Sequence, residues 1–193
     1  MKTINNRTTK YPIGDLFLKR YSPRAMSGEK VSEEELMTLF EAARWAPSAY
    51  NIQPWRFIYA MRDTKEFENL FSILVDFNKG WCAKAGALIV VVSKKTDDKN
   101  QPSITHSFDT GSAWENLALQ ATNMGLVAHG MSGIDYAMAK EKLNVPEDYN
   151  VEMMIAVGKP GKLEDLPEAM RAYEKISDRK PLEGMIFKGK FSS

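Results

Sequence analysis

The segment Lys19-Arg20-Tyr21-Ser22-Pro23-Arg24 carries two guanidinium groups and a hydroxyl at alternate positions, 20, 22 and 24. In extended or turning backbone, alternate side chains share a side, so these three groups can gather around one small anion. Guanidinium forks bind phosphate bidentately, and such charge-assisted bonds are about twice as strong as neutral ones. The same cluster also reads as a solvated basic turn, which is a common surface feature. A second polar stretch, Pro47-Ser48-Ala49-Tyr50-Asn51-Ile52-Gln53-Pro54, is bracketed by prolines that stiffen both its ends. Its Ser, Asn and Gln suit a ring that offers both donors and acceptors. An ordinary helix-to-strand connection explains the prolines and the following Trp55, but not the polar triplet.

Other chemistries lack their residues. There is no G-x-G-x-x-G after a strand and no G-x-x-x-x-G-K-[ST], so neither nucleotide loop is present. Gly158-Lys159-Pro160-Gly161-Lys162 is glycine-rich, but its proline removes an N–H donor, and it reads as a plain turn. His106 and His129 are the only histidines and Cys82 the only cysteine. With no H-E-x-x-H, a zinc site is unsupported. His129 in an apolar run reads as a hydrogen-bonded core residue, and Cys82 beside Trp81, with no basic cluster near it, as a buried inert thiol. G-x-S-x-G is missing as well. The 26 basic and 25 acidic side chains leave a net charge of +1, no surplus for nucleic acid or an anionic membrane. No apolar run reaches the roughly 18 residues of a membrane span, and the N-terminus lacks the apolar core of a signal peptide. A reducing cytoplasmic setting is the default expectation.

These segments need a scaffold. A length of 193 residues fits one domain, and a chain of that size buries roughly 70% of the surface it exposes when unfolded. Ser32-x-x-Glu35 reads as a capping box opening a helix, with Leu36, Leu39, Phe40, Ala43 and Ala46 recurring at helical spacing and Pro47 ending it. A second helix is expected from about 109 to 124, with Trp114, Leu117, Ala118 and Ala121 on one face and Gly125 as its stop. Phe57 to Ala60, Ala87 to Val92, Leu126 to His129 and Met153 to Val157 read as strands. The run ALIVVV has no polar face, so helices should cover both sides of its sheet in an α/β or α+β sandwich. Residues 93–106 and 158–181 read as loops, the first long enough to suggest mobility near a site. After Pro181 the chain turns apolar again (Leu182, Met185, Ile186, Phe187), as a tail does that docks on its own domain or on a partner.

Arg20-x-Ser22-x-Arg24, followed by Pro47-Ser48-x-x-Asn51-x-Gln53-Pro54-Trp55-x-Phe57, resembles the nitroreductase family of flavin-dependent oxidoreductases. Gly130-Met131-Ser132-Gly133-Ile134-Asp135 resembles its strand-to-helix turn, with a helix and Leu143-Asn144-Val145-Pro146 following. Val157-Gly158-Lys159-Pro160 and Arg179-Lys180-Pro181-Leu182-Glu183 resemble its later motifs. The likeness covers residues 15 to 187 or so. It implies an α+β fold: a central mixed, mainly antiparallel sheet flanked by helices, one domain over residues 1–193, in an intertwined homodimer. FMN would lie at the subunit interface, and the segment from about 180 would dock on the partner.

By this resemblance Arg20, Ser22 and Arg179 would hold the FMN phosphate, with Tyr21 contributing backbone. Arg24 would lie near flavin N1 and the C2 carbonyl, where a fixed positive charge favours two-electron reduction. Pro47, Ser48, Ala49 and Asn51 would approach from the second subunit, and Asn78 would contact the pyrimidine edge. Ser132 and Gly133 would present a backbone N–H to N5. The sequence departs from many relatives in having Ser132 where they carry an acid, and Trp81 where some carry a lysine. The implied activity is hydride transfer from NADH or NADPH through N5 to a nitroaromatic, quinone or enone by a ping-pong mechanism. No protein acid or base and no metal is nominated, because the cofactor does the difficult step. The alternatives are a dehalogenase or flavin-cleaving enzyme of the same fold, a flavin-binding module without turnover, and a structural domain with solvated basic clusters.

Overall fold

The computed structural model describes residues 2–191. In chain order its strands are β1 (Lys2–Ile4), β2 (Arg7–Thr9), β3 (Trp55–Met61), β4 (Ala87–Lys94), β5 (Val127–Met131) and β6 (Tyr149–Gly158). Its helices are α1 (Asp15–Lys19), α2 (Glu33–Arg44), α3 (Lys65–Ser72), α4 (Asp76–Cys82), α5 (His106–Asn123), α6 (Tyr136–Lys142) and α7 (Glu168–Arg171). Strands β3 to β6 form one sheet in the order β3-β4-β6-β5, antiparallel at every pairing. Helices lie on both faces, which makes the architecture α+β.

The sheet is organised around β4, seven of whose eight residues are buried. Leu88, Val90 and Val92 face one apolar cluster with Leu70, Ile73 and Met154. Ala87, Ile89 and Val91 face the other, with Leu36, Leu39 and Leu117. A strand covered on both sides has no reason to alternate, which is why its sequence is uniformly apolar. The ladder from β4 to β6 slips by one residue between Val91 and Val92, a bulge that leaves Glu152 unpaired in register.

The capping box at α2 is present: Ser32 Oγ accepts from Glu35 N at 3.1 Å, and Ser32 N donates to Glu35 Oε2 at 2.8 Å. The helix stops at Arg44, three residues before Pro47, because proline disfavours helical backbone in the residue before it. Helix α5 begins at His106, three residues earlier than its apolar face suggests; its polar first turn docks Asp109 inward. Gly125, at φ +70°, ends it, with Leu126 N bonding back to Ala121 O at 2.8 Å. The stretch 93–106 is more ordered than expected: Ser93 and Lys94 extend β4, and Thr96 bridges to Pro102. The stretch 158–162, read as a plain turn, instead runs alongside residues 25–27: Pro160 bridges to Met26, Ser27 N donates to Lys159 O at 3.1 Å, and Gly161 N donates to Ala25 O at 3.0 Å. Beyond Pro181 a single 3-10 turn precedes irregular chain, and Leu182, Met185, Ile186, Phe187 and Phe191 are all exposed. Among the described residues no helix is long and apolar enough to cross a membrane.

Candidate functional site

Strands β1 and β2 pair as a hairpin whose two turn residues, Asn5 (φ 54°) and Asn6 (φ 60°), are both left-handed. That is the geometry of a two-residue hairpin turn, and asparagine tolerates it better than most residues. The turn delivers Arg7 into the protein, where it is 5% exposed. Its Nε donates to Ser177 O at 2.8 Å, and its Nη1 donates to Leu18 O at 3.2 Å and to Arg20 O. One guanidinium thus joins the end of α1, the loop after it and the C-terminal segment.

The loop 20–25 is held from further sides. The Glu174 carboxylate accepts from Arg24 N at 2.9 Å and from Ala25 N at 3.2 Å. Arg24 Nη1 returns a bond to Tyr173 O at 3.1 Å. The His129 ring donates from Nδ1 to Pro23 O at 3.0 Å; a carbonyl only accepts, so Nδ1 carries the proton. Trp81 packs against that imidazole with ring centroids 4.6 Å apart and the planes tilted by 45°. Burial holds the His129 pKa below the ordinary imidazole value, with the bond to Pro23 opposing it more weakly. The expectation of a hydrogen-bonded core histidine is met.

Within this frame lies a cleft of about 330 Å³. Five of its lining residues are cations: Arg7, Arg20, Arg24, Lys175 and Arg179. Tyr21, Ser22, His129 and Ser177 complete the lining, which includes no carboxylate. Arg20 Nη1 lies 3.3 Å from Ser22 Oγ, and Arg20 Nε 3.7 Å from Glu115 Oε1. Arg24 Nε is buried without a hydrogen-bond partner. Burial, followed by the charges of Arg179 and Arg20, pushes the Arg7 pKa down. Cations crowded into a partly desolvated cleft repel one another, and an anion of more than one charge relieves them.

Five predicted residues therefore converge: Arg20, Tyr21, Ser22, Arg24 and Arg179. The others stand elsewhere in the chain. Pro47, Ser48, Ala49 and Asn51 do not line this cleft. They form a strained connection in which Tyr50 (φ 50°), Asn51 (φ 56°) and Gln53 (φ 53°) are left-handed. It is pinned by Ser48 Oγ accepting from Gln53 N at 3.0 Å and by Asp109 Oδ2 accepting from Ala49 N at 3.1 Å. Non-glycine residues in that region cost about 1–3 kcal/mol each, and such strain clusters at functional sites. Ser132 and Gly133 form a turn just beyond β5, in which Ile134 N bonds to Ser132 O at 2.9 Å. Asn78, on α4, is buried beneath that turn: its Nδ2 donates to Gly133 O at 2.9 Å and its Oδ1 accepts from Trp81 Nε1 at 3.1 Å.

Sequence reasoning missed Arg7, Lys175 and Glu174 as parts of the site, and gave His129 no part in it. The Asn5-Asn6 pair carried a usable hairpin signal for Arg7. Nothing local marks the other three; the partners of Glu174 and His129 lie more than a hundred residues away.

The model of the nitroreductase family matches residues 18–79 and 64–159. A crystal structure of an oxidoreductase containing FMN superimposes with a TM-score of 0.95 at 41% identity, covering 100% of this chain and 99% of that one. The oxygen-insensitive NADPH nitroreductase of Helicobacter acinonychis is 44% identical over 100 residues, 49% of this chain and 43% of its own length. The iodotyrosine deiodinase of Thermotoga neapolitana is 26% identical over 168 residues, 76% of this chain and 87% of its own length. With the cleft, the antiparallel sheet and the family model in agreement, the chain belongs to the nitroreductase family.

Proposed function

We propose that the protein is an FMN-dependent NAD(P)H oxidoreductase that acts on a small electrophilic acceptor and works as a homodimer. The observation that carries this reading is the cleft with five cationic side chains and no carboxylate among its lining residues. The mutual repulsion of Arg7, Arg20 and Arg179 fits a multiply charged phosphate monoester such as that of FMN, and the buried, unpartnered Nε of Arg24 leaves a donor for another part of the same ligand. The relatives' names, an oxidoreductase containing FMN and an NADPH nitroreductase, support the same cofactor and donor.

In this reading Arg20, Ser22 and Arg179 bind the phosphate, and the Tyr21 backbone shapes the space between them. Arg24 supplies a fixed cation for the pyrimidine side of the ring, where negative charge accumulates on reduction. The turn at Ser132 and Gly133 offers backbone donors at the ring's reactive edge, and Asn78 holds that turn from below. Pro47, Ser48, Ala49 and Asn51 serve the site of a second copy, which is why they lie away from the cleft of their own chain. The exposed apolar residues from Leu182 to Phe191 provide surface for that copy to cover. When bound, FMN supplies two-electron hydride chemistry, in which NAD(P)H and the acceptor take turns at one place. The protein's own part is to bind, orient and compensate charge, with protons drawn from water.

Purified protein should be yellow, and its colour should bleach on adding NADH or NADPH without oxygen. A nitroaromatic, quinone or enone should restore the colour. Recovery with an iodinated phenol instead would mark the protein as a dehalogenase, like the deiodinase it is similar to. A colourless protein whose melting FMN does not shift overturns the reading.

A further inference from the structure

We infer that Arg7, delivered by the N-terminal hairpin, is a positioning residue that builds the phosphate end of the cleft and so sets the preference for a phosphorylated flavin. The inference rests on the FMN reading above. Three observations carry it. The guanidinium sits among backbone carbonyls from three places: Leu18 at the end of α1, Arg20, itself a proposed phosphate contact, and Ser177, two residues from Arg179. Leu18 O and Arg20 O belong to a helix end and the residue after it, where carbonyls otherwise lack intrahelical donors. A planar fork with fixed donor directions suits three acceptors arriving from different sides, and the rotatable point charge of lysine does not.

The sequence builds this device economically. Asn5 and Asn6 accept left-handed backbone, the hairpin closes with Ile4 opposite Arg7, and Arg7 turns inward while Thr8 stays exposed. Asn5 Nδ2 also reaches Lys19 O at 3.4 Å, so the hairpin grips the end of α1 at a second point. Without Arg7, Arg20 and Arg179 would keep their charges but lose their common anchor. A phosphate binds weakly to cations that must be gathered at the moment of binding, because the ordering entropy is then lost on association. The isoalloxazine ring makes no demand on this anchor, so the effect should be confined to the phosphate.

The test is a competition. Holoprotein is equilibrated with mixtures of FMN and riboflavin, and the bound flavins are extracted and quantified by chromatography. The wild type should retain FMN against a large excess of riboflavin. In Arg7→Met the preference should fall by about tenfold or more, the scale of one charged hydrogen bond. Arg7→Lys should lie closer to Arg7→Met than to the wild type, and it carries the test if the methionine variant does not fold. Unchanged preference in Arg7→Met, or full recovery in Arg7→Lys, overturns the positioning role. A wild type that shows no preference for FMN instead overturns the FMN reading itself.

Discussion

The Asn78 side chain donates to the carbonyl oxygen of Gly133 at 2.9 Å, and a methyl group added at Gly133 would collide with the same amide nitrogen. The amide has nowhere to retreat, because its oxygen is held by Trp81 Nε1 at 3.1 Å in a buried setting. Gly133→Ala should therefore cost about 1–3 kcal/mol of stability, as overpacking of a filled site does. Asn78→Ala should cost about 1–3 kcal/mol by a different route, since it leaves the Trp81 indole N–H buried and unpaired. Urea unfolding of both variants measures these losses. A neutral Gly133→Ala would show that the turn shifts freely.

Arg20 and Arg179 reach the cleft from opposite ends of the chain. Arg20→Ala and Arg179→Ala should each weaken FMN binding by about 1.5–3 kcal/mol, the scale of a charged hydrogen bond. Serial dilution of the holoprotein, read by the fluorescence of released flavin, gives both values. Undiminished retention in the two variants would remove the phosphate assignment.

His129 should make the protein sensitive to mild acid. Burial lowers its pKa in the folded state, so below the ordinary imidazole value the unfolded chain binds the proton more readily. Stability is complete above that value and declines as pH falls through it. The urea midpoint should drop between about pH 7.5 and about pH 5.5, a window set by the unperturbed histidine pKa near 6.5. His129→Asn should flatten this drop, and an equal slope in wild type and variant would assign the sensitivity to other groups.

Cys82 has no exposed surface, and burial pushes its thiol far above the ordinary range, outweighing the opposite pull of Arg24. Its sulfur lies 3.8 Å from that of Met131. Folded protein should leave Cys82 unreacted with a disulfide reagent, and denatured protein should titrate one thiol. Rapid labelling of the native state would contradict this burial.

Strand β4 and the start of α2 were legible because local signals agree with the tertiary outcome: an unbroken apolar run for a doubly covered strand, a capping box for a helix start. The polar first turn of α5 disguised its beginning, since apolar periodicity starts only where the helix meets the core. Helices α3 and α4 are short, and in them the stretch from Asp76 to Lys79 gives no clear stripe. Arg20, Ser22 and Arg24 drew attention by spacing alone. Arg7 did not, because its purpose depends on Ser177, 170 positions away. Likewise His129 read correctly as a core residue, while its grip on Pro23 emerges only when two distant segments fold together.

That separation along the chain has a consequence for synthesis. The hairpin leaves the ribosome well before the segment with Ser177 and Arg179; Ser177 lies 170 positions after Arg7. A nascent polypeptide therefore owns only part of the basin until that later segment has emerged and folded back onto Arg7. Cutting away either the hairpin or that later segment removes one wall of the same chamber.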